Sequence, residues 1–143
     1  MKKLFSTAYS AGLANVWLFV YRVTAGCFML THGYPKFNKL ISGSNIQFAD
    51  PFGLGAYPSF YLAVFAEFLC SILVIIGLGT RIASLSIVVT MAVAGFYAHA
   101  ADPFAKKEMA FIYLLIFLTV LVFGPGKYSI DHAIAGRPKS GRR

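Results

Sequence analysis

The chain has 143 residues, 58% of them hydrophobic and only 13% charged, where a typical soluble domain has about 25% charged residues. Its mean hydropathy is +0.70, and a soluble fold of this length has too little polar surface to cover so much apolar area, whereas bilayer lipid can act as its solvent. The net charge of +8 does not point to nucleic acid, because the bases lie between apolar runs and in the tail Arg137, Lys139, Arg142 and Arg143, where such residues meet anionic lipid headgroups.

Four segments have the length and apolarity to span about 30 Å of hydrocarbon as helices: residues 15–31, 59–78, 82–100 and 108–123. Each must be helical in lipid, because a strand edge there leaves backbone groups unpaired. Lys2 and Lys3 could open a signal peptide, but the apolar run after them contains Arg22 and no small-x-small site follows it, so it reads as a retained helix. Gly33 and Pro35 stop the first helix in this reading. The stretch from Gly33 to Pro58 then becomes a long outer loop, rich in aromatic residues such as Phe37, Phe48, Phe52 and Tyr57, which favour the headgroup zone. Gly77, Gly79 and Arg81 make a short connection, so the second and third helices are antiparallel neighbours; Asp102 and Pro103 separate the third from the fourth, and Gly124-Pro125-Gly126 ends it. Ser129 to Ala135 forms a short interfacial helix with Ser129 as cap and Gly136 as stop. The expected fold is an all-α membrane protein, an antiparallel four-transmembrane-helix bundle forming one domain.

Eight bases (Lys2, Lys3, Arg81, Lys127, Arg137, Lys139, Arg142 and Arg143) fall on one side of this arrangement and four (Lys36, Lys39, Lys106 and Lys107) on the other. The excess of bases places both termini in the cytoplasm of a bacterial-type inner membrane. Cys27 and Cys70 stand at different depths, offset by about 9 Å along the membrane normal, which exceeds the Cα separation of a disulfide. Two free buried thiols are expected.

Arg22 and Glu67 carry the sharpest chemical signal, because a lone charge at mid-membrane costs about 2.5–3.5 kcal/mol. Their heights match to within about 3 Å, which predicts an Arg22–Glu67 ion pair inside the bundle. A second group gathers at the outer end: His32 closes the first helix, His99 closes the third and Glu108 opens the fourth, with Tyr97 and Asp102 nearby in sequence. No zinc spacing, nucleotide motif or iron–sulfur cysteine set occurs. Metal ligation is not expected, and haem ligation by the two histidines is disfavoured.

Arg22 with Gly26, His32-Gly33 and Lys36, Ala66-Glu67, Gly77-Leu78-Gly79-Thr80-Arg81, His99 before Glu108, and the closing Gly124 to Asp131 together resemble the DoxX family of small four-helix membrane proteins. The resemblance implies a membrane component of redox or sulfur metabolism, a subunit linked to quinone-dependent oxidoreductases rather than a complete enzyme, with a redox protein or a second copy of itself as partner. Arg22, His32, Lys36, Glu67, His99 and Glu108 are then the residues placed to bind a small molecule, a quinone being the class implied. The competing reading is a non-catalytic scaffold or assembly factor. A carrier ranks last, since four helices are few and no helix breaks at mid-membrane.

Overall fold

The computed structural model describes residues 10–43 and 45–136; Lys2, Lys3 and the basic tail lie outside the described residues. Among those described, every regular element is helical. Four long helices, α1 (Ala11–Ile41), α2 (Ala56–Ile76), α3 (Thr80–Ala98) and α4 (Phe104–Phe123), are followed by a short α5 (Ile130–Ala135). Three of them, α1 to α3, are long and apolar enough to cross a membrane. The fourth has 20 residues but carries Lys106, Lys107 and Glu108 in its first turns.

The first helix corrects the sequence reading most. It does not stop at Gly33 and Pro35 but runs through both to Ile41. Proline in a helix removes one backbone hydrogen bond and crowds the turn before it, and here the packing of the helix outweighs that loss. The buried residues Arg22, Ala25, Gly26, Met29 and Gly33 recur at helical spacing and form one narrow stripe. Small residues on that stripe let the α2 backbone come close. A Cβ on Gly26 would stand 3.1 Å from the Ser71 carbonyl oxygen, and one on Gly33 would run into the Glu67 carbonyl. The outer connection therefore spans only residues 42–55: Phe37 belongs to α1, and Tyr57, Pro58 and Phe60 belong to α2.

Both α2 and α3 contain a single π-turn, Phe65–Leu69 and Ala94–Ala98. The Cys70 N–H reaches back to the Phe65 carbonyl, and the His99 N–H to the Ala94 carbonyl. Such one-residue insertions in a helix recur at functional sites. The main core draws on all four long helices, with Met29, Val74, Ile87 and Phe117 fully buried at its centre. A second, smaller cluster of Ile46, Phe60 and Val64, backed by Phe37 and Phe48, packs under the outer connection. Fourteen phenylalanines in the chain supply much of this packing, including the stacked pair Phe37–Phe68 at 4.3 Å.

The cysteines are both free, but only Cys70 is buried; Cys27 faces outward from α1. The expectation of two buried thiols fails for Cys27 because the buried stripe of α1 passes through its neighbour Gly26.

Candidate functional site

The predicted Arg22–Glu67 pair does not form. Arg22 is 1% exposed and both its terminal nitrogens turn to main chain: Nη1 donates to the Val74 and Ile75 carbonyls at 2.5 and 2.7 Å, and Nη2 to the Tyr128 carbonyl at 2.7 Å, while Nε is buried without a partner among the described residues. Val74 lies seven residues beyond Glu67, about 10 Å along the helix. The height match failed because Gly26 seats against Ser71 and Gly33 against Glu67, so Arg22, eleven residues before Gly33 on α1, faces the far end of α2. Arg22 acts instead as a cap: the last carbonyls of a helix lack intrahelical partners, and a cation at that end is favoured by the helix dipole. Gly77 leaves room for it, since a Cβ there would stand 2.6 Å from Nη1.

Asp131 completes this knot from the opposite direction. Its carboxylate accepts from the Gly79 and Thr80 N–H groups at 2.7 and 2.9 Å, capping α3, while its own N–H donates to the Gly77 carbonyl at 2.8 Å. Burial pushes the Asp131 carboxyl up, but the bonds from Thr80 and Gly79 and the nearby Arg22 charge outweigh it, so the group stays below the ordinary carboxylate range. Ser129 caps α5 by accepting from the His132 N–H at 3.1 Å. Arg22 is thus a structural residue in this geometry, tying α1 to the α2–α3 turn and to the segment after α4.

Glu67 finds its partner in Lys36, whose Nζ donates to Oε2. The local sequence explains the meeting. Gly33 brings α1 against the π-turn of α2 at the Glu67 backbone. Lys36 follows three residues later on the same face of the continuing helix. Glu67 is 3% exposed, a depth at which a carboxylate requires a cation or hydrogen-bond donors. The Ser71 hydroxyl, one turn on, donates to the Glu67 carbonyl at 2.7 Å.

This pair lines a cavity of about 250 Å³ together with His32, His99, Lys106 and Tyr113, and with the methionines Met29, Met91 and Met109. His32 is not at a helix end but inside α1, its ring edge-on to Tyr113 at 5.4 Å. His99 stands at the end of α3 with Nδ1 2.8 Å from Asp102 Oδ2. With the carboxylate ionised, Nδ1–H donates and Nε2 is left as the free ring nitrogen. The His99 hydrogen bond and the charge of Lys106, 3.6 Å from the other oxygen, hold the Asp102 carboxyl below its usual range. Glu108 falls outside this group. The fourth helix begins at Phe104 rather than at residue 108, so Glu108 sits in its second turn, exposed, and lines neither cavity.

A larger cavity of about 720 Å³ opens between α2 and α3 and shares Lys36, Glu67, Ala94 and His99 with the smaller one. Its walls are otherwise mainly apolar. Ser86 and Thr90 on α3 turn their hydroxyls to their own helix, donating to Ile82 and Ser86 carbonyls at 3.2 and 2.9 Å. Among the described residues no group of three His, Cys, Asp or Glu is placed to hold a metal ion.

Of the six residues singled out in the sequence, the structure brings Lys36, Glu67, His32 and His99 to one cavity and leaves Arg22 and Glu108 elsewhere. Sequence reading missed the Lys36–Glu67 pairing and the contributions of Tyr113 and Lys106. One signal was present: Arg22, Gly26, Met29, Gly33 and Lys36 are spaced by four, three, four and three residues, a helical stripe that passes straight through Pro35.

The sequence model of the DoxX family matches residues 17–100, the stretch that holds Arg22, His32, Lys36, Glu67 and His99. The chain belongs to the DoxX family. It is also 32% identical over 121 residues to an uncharacterized protein of Haemophilus influenzae (strain ATCC 51907 / DSM 11121 / KW20 / Rd), covering 78% of this chain and 85% of that protein. No solved structure matches the chain. The cavity of this DoxX protein is built mainly from the family-matched segment, with α4 adding Lys106, Met109, Ala110 and Tyr113.

Proposed function

We propose that this DoxX protein is an inner-membrane subunit of redox metabolism that binds a quinone-class molecule within an antiparallel four-helix transmembrane bundle. The observation that carries the reading is the junction of the two cavities at Lys36, Glu67 and His99. A polar head and an apolar body meet there, as a quinone requires. The combined space lies in the range of about 300–1,000 Å³ usual for small-molecule sites. Lys36 supplies a donor for a quinone carbonyl, and Glu67 and His99 Nε2 are acceptors for the O–H groups of the reduced form. Buried acids and histidines in membranes commonly carry protons. Electrons would pass to or from a partner protein.

The fourth helix fits the bundle reading. Its 20 residues reach about 30 Å, and Lys106 and Lys107 at its start can extend toward headgroups while their stems stay apolar. Counted along the sequence, eight bases on the side of Arg81 and Lys127 against four on the side of Lys106 and Lys107 favour cytoplasmic termini.

The test is saturable binding of decyl-benzoquinone to purified protein in lipid nanodiscs. Lys36→Met should weaken binding of the quinone, and Glu67→Gln and His99→Ala binding of its reduced quinol in the same nanodiscs, each by roughly tenfold, the value of one good hydrogen bond to a charged group. Absence of saturable binding by the wild-type protein refutes the quinone assignment.

A further inference from the structure

We infer that the ligand reaches this site sideways from the bilayer, through the gap between α2 and α3, and that it is a membrane-dissolved amphiphile whose single apolar tail lies in that gap. The inference deepens the function proposed above and rests on it for the identity of the head. Its own support is the shape of the larger cavity, the apolar cluster packed under its roof and the apolar lips at its side.

The top is roofed by the outer connection, with Phe48, Pro51 and Phe52 over the cavity. That roof is fastened at both levels. Asp50 accepts from the Leu54 and Gly55 N–H groups at 2.9 and 2.8 Å and from the Ser59 hydroxyl at 2.9 Å. The Gly55 bond first, and the others with it, hold the Asp50 carboxyl below its ordinary range, so it stays ionised as a latch at neutral pH. Below it Ile46 is buried, and Phe48 packs edge-on to Phe60 at 5.3 Å. A polar headgroup approaching through this connection meets the packed cluster of Ile46, Phe48 and Phe60, although Gln47 and Phe52 of the connection are exposed.

The side is open and wholly apolar at its lips. Leu62 and Phe65 of α2, and Leu85 and Val89 of α3, line the cavity and are also about half exposed. They form the two lips of an opening that faces where acyl chains lie if these helices span a bilayer. The helices meet tightly at the Gly77–Gly79 turn, and the cavity extends from Leu85 outward to His99. Each helix carries a π-turn beside it. The wall is mainly apolar along its length: the hydroxyls of Ser59, Ser86 and Thr90 are spent on Asp50 and on helix carbonyls, and the ionisable groups are gathered at one end, at Lys36, Glu67 and His99. A tail in the gap would point its head at those three groups, which also fixes the orientation of the ligand.

The experiment compares decyl-benzoquinone with the same ring lacking its tail, in nanodiscs, for wild type and Val89→Trp. Val89 lies at the lip, half exposed, so tryptophan there fills the gap without entering the core. Decyl-quinone binding should fall at least tenfold in the variant while binding of the tailless ring is unchanged. Equal loss for both rings, or no loss for either, overturns the side route. A second measurement does not involve quinone: a phospholipid with a photoreactive group on its acyl chain is activated in the same nanodiscs and the adducts are mapped by mass spectrometry. Adducts at the inward residues Ala63 and Thr90 support the opening even if the quinone reading has failed. Adducts confined to outward residues such as Leu115 and Val122 overturn it. Wild-type binding of neither quinone, with Ala63 adducts present, removes the head assignment and leaves the route standing.

Discussion

Which cation partners Glu67 can be decided by two double-mutant cycles. Glu67→Gln is combined once with Lys36→Met and once with Arg22→Met, and the unfolding free energy of each variant is measured in mild detergent. For the Lys36 pair, Coulomb attraction at about 4 Å and an effective dielectric of 20 is about 4 kcal/mol. Desolvation of Glu67, at 5% side-chain exposure, opposes it, and Lys36 at 31% is partly screened by solvent. A coupling of about 1–2 kcal/mol should remain, within the range for groups in direct contact. For the Arg22 pair, residues about 10 Å apart with no shared partner should couple by less than about 0.5 kcal/mol. Arg22→Met alone should cost about 3 kcal/mol, because it strips one buried and two part-buried carbonyls of a charged donor. A coupling above about 1 kcal/mol between Arg22 and Glu67, or none between Lys36 and Glu67, refutes the assignment of partners.

Gly33→Ala should destabilise the protein by about 2 kcal/mol or more, since the new Cβ meets main chain at Glu67 rather than a flexible side chain, and should also weaken quinone binding by moving Lys36. Gly77→Ala combines a φ of 74° with a clash at Arg22 and should cost about 1–3 kcal/mol in the same assay. The Asp131 carboxyl is lower in the folded state than in the unfolded chain, so its contribution is present above the ordinary carboxylate pKa of about 3.9 and is lost as pH falls through the folded value. Thermal stability of wild type should therefore drop more between pH 5 and pH 3 than that of Asp131→Asn; parallel curves would show that Asp131 caps α3 without a titrating contribution. For orientation, a fluorescent-protein fusion at the C-terminus should be bright and an alkaline-phosphatase fusion inactive, and the reverse pattern would overturn the cytoplasmic placement of the tail.

The amino-acid pattern by itself determined that this chain lives in lipid, roughly where its apolar helices lie, and which few polar residues are costly enough to matter. These are local or additive properties: hydrophobic length, the charge penalty in hydrocarbon, and turn chemistry such as Gly77-Leu78-Gly79 or the Ser129 cap. Tertiary structure alone decided that α1 passes through Pro35, because the cost of one missing hydrogen bond is local while the gain from packing Gly26 and Gly33 against α2 comes from another helix. The seating of Gly26 at Ser71 and Gly33 at Glu67 set the register between α1 and α2, and register sets pairing. A shift of two turns sent Arg22 to the end of α2 and delivered Lys36 to Glu67. Partnership between charges depends on the relative slide of two helices, which no single segment of sequence encodes.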